Sequence, residues 1–164
     1  MSPADQIRPI RWQNEALELL DQRRLPAEEC YLRLEEPEAV ATAIADMVVR
    51  GAPAIGITAA FGMALAARRV AGKVDWRESL NRSADLLRRA RPTAVNLGWA
   101  VEQQLHNAGL CDDATTAGEQ LLHWALDLLA QDIWEPRFCR RRAVSSPTAT
   151  PAVWPPAASA PPWG

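Results

Sequence analysis

Between Pro53 and Val70 the chain reads PAIGITAAFGMALAARRV, with no charge before Arg68 and Thr58 as its one hydroxyl. A helix that is apolar on nearly every side cannot sit at a surface, so this run requires other elements packed all round it. A membrane is the alternative surrounding, but a spanning helix needs about 20 apolar residues, and this run ends in Arg68-Arg69. The expected object is therefore a helical core built around one buried helix. Gly56 and Gly62 each cost about 1 kcal/mol of helix propensity relative to Ala. Close approach of another element or a ligand is expected to offset that cost, and packing is the first reading.

The flanking sequence supplies the surrounding elements. Ile7, Ile10 and Trp12 precede a turn-like Gln13-Asn14-Glu15, and Leu17, Leu19 and Leu20 then resume an apolar segment, which predicts two short strands. After the break at Leu25-Pro26, Cys30, Leu32 and Leu34 alternate with Tyr31 and Arg33 as a third strand. From Pro37 the period changes. Val40, Ala43, Ile44, Met47 and Val48 fall on one helical face, predicting a helix that ends at Arg50-Gly51. Asp75 is placed to cap a helix bearing Trp76, Leu80, Ala84 and Leu87, interrupted at Arg91-Pro92. A helix from about Thr93 to His106, stopped by Gly109, and a last one from about Ala114 to Ile133 complete the body. The expected class is α+β and mainly helical, a small N-terminal antiparallel sheet followed by a helical bundle.

Composition excludes several functions. The 164 residues suit one domain, and 48% apolar with 23% charged residues is globular usage. A net charge of -2 gives no electrostatic reason to expect nucleic acid as a partner, and no membrane partner is expected. Cys30, Cys111 and Cys139 are odd in number and widely spaced, which reads as packed thiols in a reducing compartment. The segment MSPADQIRPIRW has no apolar run after its first charges, so no secretory signal is expected and the compartment is taken as cytoplasmic. His106 and His123 lie inside helical patterns and read as ordinary surface or core residues.

Two loops concentrate the chemistry. Arg50-Gly51-Ala52-Pro53 feeds into the apolar helix: Gly51 permits a close backbone approach, Pro53 suits the first helical turn, and free N–H groups there face an incoming anion. Arg50 adds a planar fork of donors. The bland alternative is a helix-to-helix turn with a solvated Arg. The second loop, Arg91-Pro92-Thr93-Ala94-Val95-Asn96, again places an Arg before a proline expected to open a helix; its alternative is a simple N-cap. Together they are what a phosphate clamp needs, provided that they meet in space.

The strings RWQNEALELLDQRRLP, MVVRGAPAIGITAAFGMALAAR and RPTAVNLGWAV resemble the N-terminal region of methylthioribose-1-phosphate isomerases, over roughly residues 7 to 133. RGAPAIG occurs across a wider superfamily that includes ribose-1,5-bisphosphate isomerases and regulatory subunits of a translation-initiation exchange factor; LLDQRRLP and RPTAVNL favour the methylthioribose enzyme. The resemblance implies that Arg50, Gly51, Ala52 and Arg91 bind a sugar-phosphate substrate, above all its phosphate. It implies no metal and no other cofactor, and a homodimer. The family's reaction converts an aldose 1-phosphate into a ketose and needs a positioned acid and base. In the family these are a cysteine in a THCNAG-like segment and an aspartate in a Rossmann-like C-terminal domain. Here no HCN triplet appears and that domain is expected to be absent, so no catalytic residue is assigned to this chain. The alternative function is a non-catalytic regulatory or phosphorylated-ligand-binding module.

Composition changes near Ile133. Residues 134–164 hold seven of thirteen prolines and three of seven tryptophans, with no acid after Glu135 and no charge after Arg142. Such a segment is expected to be disordered. A polyproline ligand around Pro155-Pro156 and Pro161-Pro162 is one alternative. The other is a frameshift: GC-rich codons for these residues, read two positions later, permit RVLTHCNAGRLATGGFGTALG, the family's missing segment in its expected place. The expected organisation is thus an N-terminal domain over 1–133 and a frameshifted tail over 134–164, giving a truncated, inactive isomerase.

Overall fold

The computed structural model describes residues 8–134, with side chains to Gln131; expectations for Ile7, Cys139 and the tail from Glu135 lie outside the described residues. The elements are β1 (Ile10–Gln13), β2 (Ala16–Leu20) and β3 (Tyr31–Leu34), then α1 (Pro37–Ala45), α2 (Ala52–Arg69), α3 (Trp76–Ala90), α4 (Val95–Gly109) and α5 (Ala114–Trp134). The α+β, mainly helical class read from the sequence is the observed one.

The strands form an antiparallel sheet in the order β1-β2-β3. Asn14 and Glu15 both take positive φ, 47° and 62°, in a two-residue turn that closes Gln13 onto Ala16. Paired left-handed residues match the twist of the flanking strands, which fixes the hairpin register. The sheet meets the bundle through Trp12, whose ring stacks on Phe61 of α2 at 5.4 Å, with the Arg68 guanidinium 5.9 Å from the centre of the Trp12 ring. The side chain of Arg68 also reaches Glu15 in the hairpin turn, tying the far end of α2 to the sheet.

Helix α2 is the axis. Every residue from Ile55 to Ala67 is buried, as its sequence requires. Burying side chains such as Ile57, Phe61 and Met63, all at 0% exposure, contributes about 1.5–3 kcal/mol each. The other helices alternate in direction around it. A side chain at Gly62 of α2 would touch Leu87 near the end of α3, while Arg77 at the start of α3 donates to the carbonyl of Cys111 just past α4. Gly118, early in α5, lies against Arg68 late in α2. Hence α2 and α4 run one way, and α3 and α5 the other.

One buried polar group pins this arrangement. The Nε2 amide of Gln104, at 0% exposure, donates to Ala60 O of α2 at 3.0 Å and to Leu121 O of α5 at 2.9 Å. Its Oε1 has no hydrogen-bond partner among the described residues. Sliding α4 along α2 would leave both amide protons unpaired as well, at a cost of about 1–3 kcal/mol.

Two boundaries differ from the sequence reading. Helix α1 ends at Ala45 rather than at Arg50-Gly51, because Met47 adopts φ 60° and closes a Schellman motif: Val48 N donates to Ala43 O and Met47 N to Ile44 O. Met47 is consequently exposed while Val48 turns inward. Asp75 does occupy the N-cap position of α3, but it accepts the Ser79 hydroxyl at 3.4 Å instead of a backbone N–H. The apolar set Trp76, Leu80, Ala84 and Leu87 is buried as read.

Gly62 is a packing residue. A methyl group there would lie 3.0 Å from both Leu87 Cδ2 and Val40 Cγ1. Val40 is β-branched and cannot yield by rotating. Replacing Gly62 by Ala is therefore expected to lower stability by about 1 kcal/mol net, overpacking exceeding the gain in helix propensity. Urea unfolding of the two proteins checks it, and a stabilised Gly62→Ala variant would contradict the packing assignment.

Candidate functional site

Because α2 and α4 run parallel, the two Arg-bearing loops open at the same end of the bundle. Gly51 takes φ 91° at the N-cap of α2, and no atom would obstruct a side chain there, so glycine is needed for its backbone conformation. Ala52 is the first helical residue and Pro53 the second, in the position where a missing N–H costs nothing. No side chain caps this start, and its first turn contains no acid. The start of α4 is alike: Ala94 is the N-cap without a side-chain bond, and again no acid lies in the first turn. Both helix starts thus present free N–H groups and the positive ends of their dipoles.

The arginines complete the picture. Arg50 and Gly51 are exposed, and Arg91 is half-buried in the loop before α4. Arg23, Arg24, Arg33, Arg68, Arg69, Arg82 and Arg88 form ion pairs, whereas Arg8, Arg11, Arg77 and Arg89 form none among the described residues. Arg50 and Arg91 likewise form none among the described residues. Arg91 lines a cavity of about 340 Å³ with Arg88, Arg89, Pro92, Ala94, Leu97, Gly98 and the acid Glu102. Arg88 and Arg89 occupy the last turn of α3, where cations suit the negative end of that helix's dipole. The second loop departs from its reading in one respect. Pro92 does not open α4, which begins at Val95 after a turn closed by Ala94 N donating to Arg91 O, and Thr93 is not its cap.

A third segment, unassigned by sequence reasoning, meets this end. In the loop after β2, Asp21 is buried at 3% exposure and accepts from Arg23 through Nε at 2.8 Å, NH2 at 2.7 Å and the backbone N at 3.1 Å. These bonds hold the Asp21 carboxyl below its ordinary value of 3.8, against the opposing effect of burial. The stability that this pair contributes is therefore full above the ordinary carboxylate pKa and is lost as pH falls through the lowered folded value. Neither residue stands in a periodic pattern that would have marked it.

Other titratable groups sit elsewhere. Cys111 is buried, its thiol donates toward Asn107 O and Gln120 Oε1, and burial pushes its pKa up, the opposite of an activated nucleophile. His106 and His123 are exposed, with His123 Nδ1 3.2 Å from Asp127 on the surface of α5. Among the described residues no helix is long and apolar enough to cross a membrane.

The fold and this helix-start cluster define an α+β module of the kind that forms the N-terminal part of larger proteins. A family model described as the initiation factor 2 subunit family matches residues 48–137, more than half of the chain, and the chain belongs to that family. Within it, the chain is 48% identical over 124 residues to the methylthioribose-1-phosphate isomerase of Marinobacter nauticus, covering 76% of this chain and 35% of that protein. It is 54% identical over 101 residues to the enzyme of the same name from Stutzerimonas stutzeri, covering 61% and 28%. Among solved structures, 5-methylthioribose 1-phosphate isomerase from Pyrococcus horikoshii superposes with a TM-score of 0.71 at 30% identity, over 78% of this chain and 38% of that one. Translation initiation factor eIF-2B subunit delta from A. fulgidus gives 0.73 at 35% identity, with the same coverage. The chain thus spans about a third of the length of the curated relatives it matches.

Two left-handed positions bracket the first loop, and they should respond in opposite senses. Gly51→Ala forces a Cβ into φ 91° and is expected to cost about 1–2 kcal/mol. Met47→Gly relieves a strained and largely exposed residue and is expected to stabilise by about 1 kcal/mol. Thermal unfolding of both variants is the measurement; a destabilised Met47→Gly protein would contradict the Schellman assignment.

Proposed function

We propose that this chain supplies the phosphate-binding half of a methylthioribose-1-phosphate isomerase site, with Arg50, Gly51, Ala52 and Arg91 as the residues that hold the substrate's phosphate. The observation that carries this reading is a pair of uncapped, acid-free helix starts on two helices that pack together through Gln104 and Ala60, each preceded by an arginine without an ion-pair partner among the described residues. A phosphate placed between them would accept backbone N–H bonds from two directions and charge-assisted bonds from two guanidinium forks. The names and identities of the isomerase relatives support the same substrate class.

The acid and base of the isomerisation belong, in this reading, to sequence that the tail replaces. A frameshift near residues 131–134 accounts for a proline-rich tail without acids after Glu135, whose codons can encode the THCNAG-like segment in another frame. The chain alone then binds and does not turn over. The likeness to the eIF-2B delta subunit supports a second reading, a regulatory module that binds a phosphorylated ligand without converting it.

Two measurements separate these. In an NMR titration of the full chain with methylthioribose 1-phosphate, amides of Gly51 and Ala52 are expected to shift, and Arg50→Gln and Arg91→Gln are each expected to weaken binding about tenfold or more, as for loss of a charge-assisted bond. Unchanged affinity in both variants would remove these arginines from the site. Sequencing the DNA across codons 125–164 and expressing the restored frame should give isomerase activity absent from the present chain; a restored protein that binds without turnover would favour the regulatory reading.

A further inference from the structure

The segment Leu20-Asp21-Gln22-Arg23-Arg24-Leu25-Pro26 is far in sequence from the Arg50 loop, yet it grips the Asp46–Val48 turn that leads into that loop. Gln22 N donates to Val48 O at 3.0 Å. Arg23 NH1 donates to Asp46 O at 3.4 Å and lies 3.9 Å from Asp46 Oδ2. Arg23 is itself oriented by three bonds to the buried Asp21, whose own backbone N donates to Cys30 O at 2.8 Å and so is anchored at the start of β3. The gripped stretch needs such support. It leaves α1 through the strained Met47, buries Val48 and Val49, and must deliver Gly51 at φ 91° to the start of α2, all within a few residues.

We propose that Asp21 and Arg23 are positioning residues for the Arg50-Gly51-Ala52 anion loop. Asp21 locks the guanidinium of Arg23, and Arg23 with Gln22 holds the carbonyls of Asp46 and Val48 outward from α1. The direction in which Arg50 leaves the buried Val49 follows from that hold. Neither residue touches the ligand. An exposed ion pair on the same loop, Arg24 with Glu28 at 3.3 Å, forms no hydrogen bond to the Asp46–Val49 backbone among the described residues and provides an internal control.

This inference rests on the phosphate reading of the loop, and the experiment keeps the two apart. The full chain is compared with Asp21→Asn, Arg23→Gln, Arg23→Lys and Glu28→Gln by amide hydrogen exchange and by NMR titration with inorganic phosphate. In Arg23→Gln and Asp21→Asn, exchange at Gln22, Met47 and Val48 is expected to rise about tenfold, the local loss from breaking a charge-assisted bond, while amides in the middle of α2 keep their protection. The dissociation constant for phosphate should rise several-fold in the same variants, recover in part in Arg23→Lys, and stay unchanged in Glu28→Gln. Arg23→Gln carries the test if Asp21→Asn does not fold, since Arg23 is only partly buried. Unaltered exchange at Met47 and Val48 in Arg23→Gln would overturn the positioning role. A parent chain whose Gly51 and Ala52 amides ignore phosphate would instead overturn the phosphate reading, with the exchange comparison still deciding whether the grip exists.

Discussion

Everything in the bundle depends on the complete burial of α2. A helix with only two arginines at its far end has no solvated face, so four other helices and a sheet must each present an apolar surface to it, and the space between them is fixed by its small residues. Gly62 lets Val40 of α1 and Leu87 of α3 close on it together. Phe61 takes the sheet through Trp12 on another side. Gln104 then selects the height at which α4 and α5 dock, because only one alignment gives its two amide protons carbonyls to meet. Apolar packing decides that these helices associate; the buried amide decides their register.

The site follows from the same constraint. With α2 central and α4 running alongside it in the same direction, the starts of α2 and α4 face one end of the bundle, and the short Arg91–Ala94 loop brings the finish of α3 beside the start of α4. The loops Arg50-Gly51 and Arg91-Pro92 thus open toward the same end of the bundle, with no hydrogen bond or ion pair between them among the described residues. Their spacing inherits the rigidity of the core, since moving one start relative to the other means sliding α4 past Ala60. Placing binding groups on the ends of packed helices is more exact than placing them on free loops.

How much of this the sequence disclosed depends on the range of the interaction. Apolar periodicity is local, so the buried set of α3 and the whole of α2 were readable residue by residue. Helix ends were readable where a glycine or proline announced them, as at Gly51 and Pro53. They were misread where an ordinary residue took a special conformation: Met47 in the left-handed region ended α1 early, and Pro92 suggested a helix start that the turn at Arg91–Ala94 postponed to Val95. Gln104 and the Asp21–Arg23 pair were opaque for another reason. Their meaning lies in partners on other elements, Ala60 and Leu121 for the amide and Asp46 for the guanidinium, and no spacing along the chain encodes those.

The electrostatics of the site are local in the same sense. The whole chain carries a net charge of -2, so no long-range field favours an anion. What favours one is a set of short-range positive groups with no acid in either first turn: two helix starts, each equivalent to roughly half an elementary charge, and the guanidinium groups of Arg50 and Arg91. The antiparallel α3 would oppose them with the negative end of its dipole, but its last turn carries Arg88 and Arg89, which offset that end. Elsewhere on the surface several arginines are paired with neighbouring acids, as Arg69 is with Glu36 and Glu38, and others lie on rings, as Arg11 does over Tyr31. At physiological salt, where screening acts over about 8 Å, only an anion that comes close to these helix starts experiences their positive groups.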